Sequence, residues 1–457
     1  MKLERIPDYR ARRVRLKSLF WAGIILSLIL STAHSEAVTL DECIREALRR
    51  NPDANAAAIR VDAARAMISV ADSAYFPQLS VAGGYAVTDN PTQAFMMELN
   101  QRQLDIKAPS FDPNDPGNID NLRLSAELKY RLYDFGQRRM LSESATLGAD
   151  AAGFQLVAIL NELIYQITRG YFNILQAGDF LAVQQETIAS LEESHQIARE
   201  KYKAGTAIKT DVLNLEVALV QAREDLIRAR NSVDLAIVAL NTGIGHDFVT
   251  RENMPAPEKN EPSPPVMEQD FSVIENRPEL QAFQKTAQMK ERLYLKTKYQ
   301  NYPVFNAYGT YDLDSGDLES FEGSYTVGLK AEWDLFTGFR TSSTARRAEA
   351  EWRAAQKDEE MVRNRLKQDL QSARIQAAES WQRLETIRKS VESALESLRI
   401  TQVRYREGVA GITDLLTAQV GLSALRTRRV AAVYDLAAAI SNLQRASGEL
   451  YTLYSVQ

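Results

Sequence analysis

The sequence predicts an α+β membrane protein made of two structural repeats, each with two transmembrane β-strands and long helices. Three observations predict it. Two matching segments, Tyr202-Lys-Ala-Gly-Thr-Ala-Ile-Lys-Thr-Asp-Val-Leu213 and Tyr405-Arg-Glu-Gly-Val-Ala-Gly-Ile-Thr-Asp-Leu-Leu416, each join two long, Ala-rich amphipathic runs. Four stretches of about ten residues or slightly more alternate apolar with polar side chains. Landmarks also recur at fixed offsets. Pro52 pairs with Pro278 and Pro77 with Pro303 at 226; Leu132 pairs with Leu335, Tyr202 with Tyr405, Asp211 with Asp414 and Gly245 with Gly448 at 203. The offset changes once, inside the strand pair, so the first hairpin carries 23 extra residues and the helices no net insertion. Internal duplication accounts for this pattern.

In chain order, residues 1–33 read as a signal peptide. A basic segment (Arg10, Arg12, Arg13, Arg15, Lys17) precedes the apolar run Leu19–Leu30 and the small residues Ser31, Thr32 and Ala33. That run spans ~18 Å as a helix, short of the ~30 Å hydrocarbon core. The segment carries a net +5, so the remainder sits near −10 against −5 for the whole chain, which argues against a nucleic-acid partner. The single cysteine, Cys43, makes no intrachain disulfide and reads as a core position on the first helix.

The first repeat spans 34–245. Thr39-Leu-Asp-Glu42 is a capping box that opens a helix running to about Tyr75, with an interruption at Pro52. A β-hairpin follows over about 76–135. Leu79, Val81, Gly83, Tyr85 and Val87 share one face of its first strand. Leu122, Leu124, Ala126, Leu128, Tyr130 and Leu132 share one face of its second, opposite Arg123, Glu127, Lys129 and Arg131. The proline-containing stretch 88–120 between them reads as a long extracellular loop, with an apolar cluster at Phe95-Met-Met97. From Gln137 to Tyr202 the pattern is helical, ~100 Å if continuous. The tip 203–210 reverses the chain into a helix to about Asn241. Gly205 ends one helix in a left-handed conformation, and Thr210 is expected to cap the next with Asp211 in its first turn. Residues 246–270, rich in proline, form a linker.

The second repeat, 271–457, has the same order. A helix runs to Gln300, a hairpin covers about 303–336, a long helix runs to Tyr405, the tip spans 406–413 around Gly408, Thr413 caps, and a last helix carries Asp414. Trp333 and Tyr130 occupy matching positions near strand ends, where aromatic belts sit.

Strands of this length with one apolar and one charged face suit lipid outside and water inside. A soluble sheet on a helical layer shows the same alternation, but the long helices leave little spare apolar surface to cover two sheets. Four strands close no barrel, and an open edge in lipid leaves backbone groups unpaired. The expected assembly is a homotrimer with a shared 12-stranded β-barrel and an α-helical barrel; two chains would give only eight strands with little lumen.

These motifs resemble the TolC-like outer membrane efflux protein family over nearly the whole mature chain. The carriers are Thr39-Leu-Asp-Glu-Cys-Ile-Arg-Glu-Ala-Leu with Asn51-Pro52, Asn276-Arg-Pro-Glu-Leu280, Tyr75-Phe-Pro-Gln-Leu79, Leu132-Tyr-Asp-Phe-Gly136, Leu335-Phe-Thr-Gly338 and both Tyr-x-x-Gly tips. The resemblance implies an outer-membrane location with helices in the periplasm and an equatorial region at the linker. It implies partnership with a periplasmic adaptor and an inner-membrane pump of RND or ABC type. It assigns the periplasmic gate to Tyr202, Asp211, Tyr405 and Asp414, and the adaptor-contact tips to Gly205, Thr206, Gly408 and Val409. The chain departs from the family pattern at Ala410, where some members carry an Arg, and at Thr417, where some carry a second Asp. A weaker lock follows, or a substitute charge from Lys209 or Arg404.

The implied function is the exit duct of a tripartite efflux system. The alternatives are the conduit of a type I protein secretion system and, from another class, a periplasmic coiled-coil adaptor or scaffold, which leaves the strand pairs without a purpose. No metal-ligand cluster, nucleophilic triad or phosphate loop stands in the sequence, so neither an enzyme nor a cofactor is expected.

Overall fold

A computed structural model describes residues 37–108, 112–256, 262–265, 270–448 and 450. The expected signal peptide and part of the expected linker lie outside them.

The local signals act as elementary chemistry dictates. Helix α1 (Leu40–Arg50) opens on Thr39, whose hydroxyl accepts from the Glu42 amide while the Glu42 carboxylate accepts from the Thr39 amide at 2.9 Å. Those bonds hold the Glu42 carboxyl below its usual range. Cys43 and Ile44 are fully buried, and burial pushes the Cys43 thiol up to about 12. Pro52 starts α2 (Pro52–Asp72). The strands β1 (Gln78–Thr88), β2 (Ile119–Tyr133), β3 (Val304–Ser315) and β4 (Glu322–Glu332) form one antiparallel sheet in the order β1-β2-β3-β4.

The register aligns the apolar faces of all four strands. One row across the sheet reads Val81, Ala126, Tyr311, Tyr325; the next, on the opposite face, reads Ser80, Glu127, Thr310, Thr326. A one-residue slip in any strand would invert its half of the pattern. The apolar face is bare, with Val327 78% exposed. The edges β1 and β4 have no strand partner among the described residues. Aromatic rings gather at the helix end of the sheet: Phe135 stacks on Tyr302 and meets Tyr133 edge-on, and the Trp333 indole donates to the Asn301 carbonyl at 2.9 Å.

The stretch 88–120 differs from the expected loop. It contains helix α3 (Pro91–Asn100). Pro91 sits at the first helical position, where its missing N–H costs nothing, and the Asn90 side chain accepts from the Gln93 amide at 3.2 Å. A proline in a stretch read as loop is here the start of a helix.

Helices α4 (Gln137–Lys203) and α7 (Arg340–Arg406) have 67 residues each, and α5 (Lys209–Ile244) and α8 (Ile412–Ser447) have 36 each. Helix α6 (Pro278–Tyr299) precedes the second hairpin. The compact units do not follow the repeats. One gathers described residues of 37–52, 162–268 and 372–445; the other, which holds the sheet, gathers those of 53–161, 269–371 and 446–450.

Within each unit a side chain just before a helix-starting proline pins the end of the repeat's last helix. Asn51 donates to the Gly243 carbonyl at 2.7 Å. Arg277, fully buried, donates to the Ala446 carbonyl at 2.7 Å and pairs with Glu279 at 2.6 Å and Asp369 at 3.7 Å. Removing a buried charge orphans each partner. Arg277→Ala is therefore expected to cost about 3 kcal/mol and Asn51→Ala about 1 kcal/mol. Thermal unfolding of the detergent-extracted protein checks both, and equal losses would contradict the assignment.

Candidate functional site

The site is the pair of helical tips, in the unit that lacks the sheet. Each long helix must release its last carbonyls to bonds from beyond its end, and glycine provides the turn. Gly205 has φ +75° and Gly408 φ +79°. Gly205 N–H donates to Tyr202 O at 3.0 Å and Thr206 N–H to Lys201 O at 2.9 Å; the second tip repeats this from Gly408 to Tyr405 at 3.1 Å and from Val409 to Arg404 at 2.8 Å. Both are Schellman closures.

The starts of the following helices differ from expectation. Thr210 and Thr413 do not cap: α5 begins at Lys209 after Ile208, and α8 begins at Ile412. The Asp211 amide donates to Ile208 O at 3.1 Å, which closes the first turn ahead of Thr210. At the second tip the Asp414 carboxylate reaches back and accepts from the Gly411 amide at 3.2 Å, the N3-to-N-cap half of a capping box. Both aspartates occupy the first helical turn, as expected.

The two tyrosines diverge. Tyr405 is 4% exposed and Tyr202 45%. Val391, Leu398 and Tyr405 succeed one another every seven residues on α7, packed with Leu191 and Ala198 of α4, Leu215 and Leu219 of α5, and Leu415 of α8. Tyr405 is thus the last knob of a heptad seam. Burial raises its phenol pKa, and the nearby Asp211 carboxylate adds to the shift. The structure therefore brings Tyr405 and Asp211 together, while Tyr202 faces outward and Asp414 is exposed beside its own helix start.

The cations that tie the two hairpins here are Lys201 and Arg406, which sequence reasoning missed in favour of Lys209 and Arg404. The Lys201 ammonium donates to the Tyr405 carbonyl at 2.6 Å and lies 5.1 Å from the centre of that ring. Arg406 pairs with Glu193 at 2.6 Å. A lysine on the last turn of a helix is ordinary in sequence; only the packing of α4 against α7 makes it a clamp. Further up, Thr187 meets Ser423 at 3.0 Å and Gln419 donates to Ser194 at 2.8 Å. Gly205, Thr206, Gly408 and Val409 are all exposed. The arrangement ties the two hairpins by polar contacts and leaves a solvent-facing pair of loops. Among the described residues, no group of three or more His, Cys, Asp or Glu is placed to hold a metal ion.

Lys201→Ala removes a charged hydrogen bond and a cation–π contact and is expected to free about 1–2 kcal/mol of local opening. Hydrogen exchange should quicken across 403–412 with the sheet amides unchanged; exchange at the wild-type rate would discount the clamp.

Comparison with known proteins places this geometry. The family model described as "Outer membrane efflux protein" matches residues 43–246 and 272–449. Outer membrane protein TolC of Vibrio cholerae is 22% identical over 440 residues, 93% of this chain and 95% of that protein. Outer membrane efflux protein BepC of Brucella suis is 22% identical over 447 residues, 95% of this chain and 91% of that protein. CusC, whose crystal structures concern folding and transmembrane channel formation, superposes with a TM-score of 0.79 at 17% identity, covering 90% of this chain and 92% of that one.

Proposed function

The chain belongs to the outer membrane efflux protein family and lies in the outer membrane, and from that premise we propose that it is the exit duct of a tripartite efflux system. The observation that carries the reading is the sheet. It has one continuous apolar face, one charged face, and two edges without strand partners among the described residues. Lipid satisfies the first, a water-filled lumen the second, and neighbouring copies the third. Three copies close a 12-stranded barrel with Lys129, Arg131 and Lys330 facing inward. One stretch of α4 is apolar enough to cross a bilayer by composition yet only 22% buried in the single chain; side-by-side packing of copies covers it.

At the tips, three exposed Asp414 carboxylates converge, with Asp211 behind them against Tyr405. Crowded negative charge in a narrow mouth favours cations. The Lys201 latch holds this mouth closed at rest. The exposed loops around Gly205, Thr206, Gly408 and Val409 receive a periplasmic adaptor, and an inner-membrane pump of RND or ABC type delivers cargo. Docking releases the latch, and transport through the duct is passive.

Planar-bilayer recording under a salt gradient tests this. The purified protein is expected to give small, discrete, cation-selective steps, and Asp414→Asn to move the reversal potential toward zero. An unchanged potential removes Asp414 from the mouth; no pore at all from folded, membrane-extracted protein overturns the duct.

A further inference from the structure

Burial on the sheet is inverted at its hairpin end. There the apolar residues Leu124 and Tyr311 are exposed, while Asn121 and Asp314, on the polar face, are 4% and 1% exposed. The cover is α3 and the residues that follow it. Gln101 donates to the Asp120 carbonyl at 2.8 Å and to the Asn121 side chain at 3.0 Å. Asn121 donates to Asp314 at 2.6 Å, and Arg123 pairs with the same carboxylate at 2.9 Å. Arg102, in a left-handed conformation with φ 56°, reaches across to Glu322 of β4 at 3.3 Å. Thr88 of β1 meets Gln93 of α3 at 3.3 Å. Asp120 contributes only its backbone carbonyl; Thr88, Asn121, Arg123, Asp314 and Glu322 all belong to the polar face by register.

The helical part of the insertion that distinguishes the first hairpin from the second, residues 91–102, therefore does not project beyond the sheet. It folds back over the face assigned to water, anchored on both β2 and β4. The β3–β4 connection has no such element: residues 316–321 turn tightly around Asp317, which accepts from the Glu319 and Ser320 amides. Helix α3 turns its buried Ala94 and Gln101 toward the sheet. Met96 and Leu99, 52% and 44% exposed, lie on its opposite side.

We propose that α3 is a second constriction of the duct, at the hairpin end of the sheet, where it restricts which solutes pass. This rests on the duct reading above. With the polar face turned inward, the free side of α3 points toward the barrel axis, and the groups that meet there are Met96 and Leu99 of three copies. An apolar ring in a water-filled pore opposes wetting and passes only solutes that displace it. The ring is tethered by hydrogen bonds and an exposed ion pair, and the latter contributes little, so the helix can swing aside for cargo pushed from within.

The test approaches from outside, so that the tips have no bearing on it. Thr326 lies on the polar face inside the barrel and is exposed. Thr326→Cys is made in the full chain, where the only other thiol, Cys43, is fully buried. Intact cells are treated with a small charged methanethiosulfonate or with a long polyethylene-glycol maleimide. The same is done with residues 91–113 excised, which equalises the two hairpins, and with Gln101→Ala/Arg102→Ala, which unties α3 and serves should the excision not reach the membrane. The small reagent is expected to label every form; the polymer should label the excised or untied form about tenfold faster or more than the intact one. Equal polymer rates overturn the constriction and leave the duct standing. Failure of the small reagent on all folded forms, with labelling after denaturation, overturns the water-filled barrel itself.

Discussion

A backbone amide or carbonyl at the edge of a sheet must find a partner, and in hydrocarbon no water supplies one. That constraint governs this protein. The sheet is wide enough to match its apolar and charged rows across four strands, yet among the described residues the outer edges of β1 and β4 have no strand partner. The single chain is then an unfinished object by its own chemistry. The exposed aliphatic face, the bare edges and the apolar stretch of α4 are the same deficiency expressed in three places, and the proposed pairing with copies of itself would remove all three.

Much of this was legible in the residues because the signals are short-range. The Thr39–Glu42 box, the period-two strands and the tip glycines each act through neighbours a few residues away, and each formed as its pattern dictated. What escaped was decided at longer range or by competition between local rules. Thr210 is a good cap in isolation, but the chain starts its helix sooner, at Lys209, and at the second tip a first-turn aspartate accepts from the Gly411 amide instead. Pro91 looks like a breaker until Asn90 is seen to accept from the turn behind it. Tyr202 and Tyr405 stand in almost the same words, and only the heptad seam through Val391 and Leu398 buries one of them. Lys201 carries no signal at all without its neighbour helix.

The duplication has diverged in chemistry while keeping its geometry. The paired long helices and the paired short ones have equal lengths, so their seam tolerated no insertion. The pins at the helix ends kept their acceptor and changed their donor, from a neutral amide at Asn51 to a buried guanidinium at Arg277. Length changed only between β1 and β2, where added residues meet water and can fold into an element of their own.

The seam between β2 and β3 also sets the order in which the molecule can form. The two hairpins close locally, but Arg123 and Asp314, which face each other across that seam, are 191 residues apart in the chain. Closing so long a loop is slow, and a lone two-stranded hairpin is marginal in water. The seam between the hairpins therefore cannot close until the second hairpin is available. The apolar face is completed late and in one step, when the surface that hides it is close at hand, and a truncated chain never presents it whole.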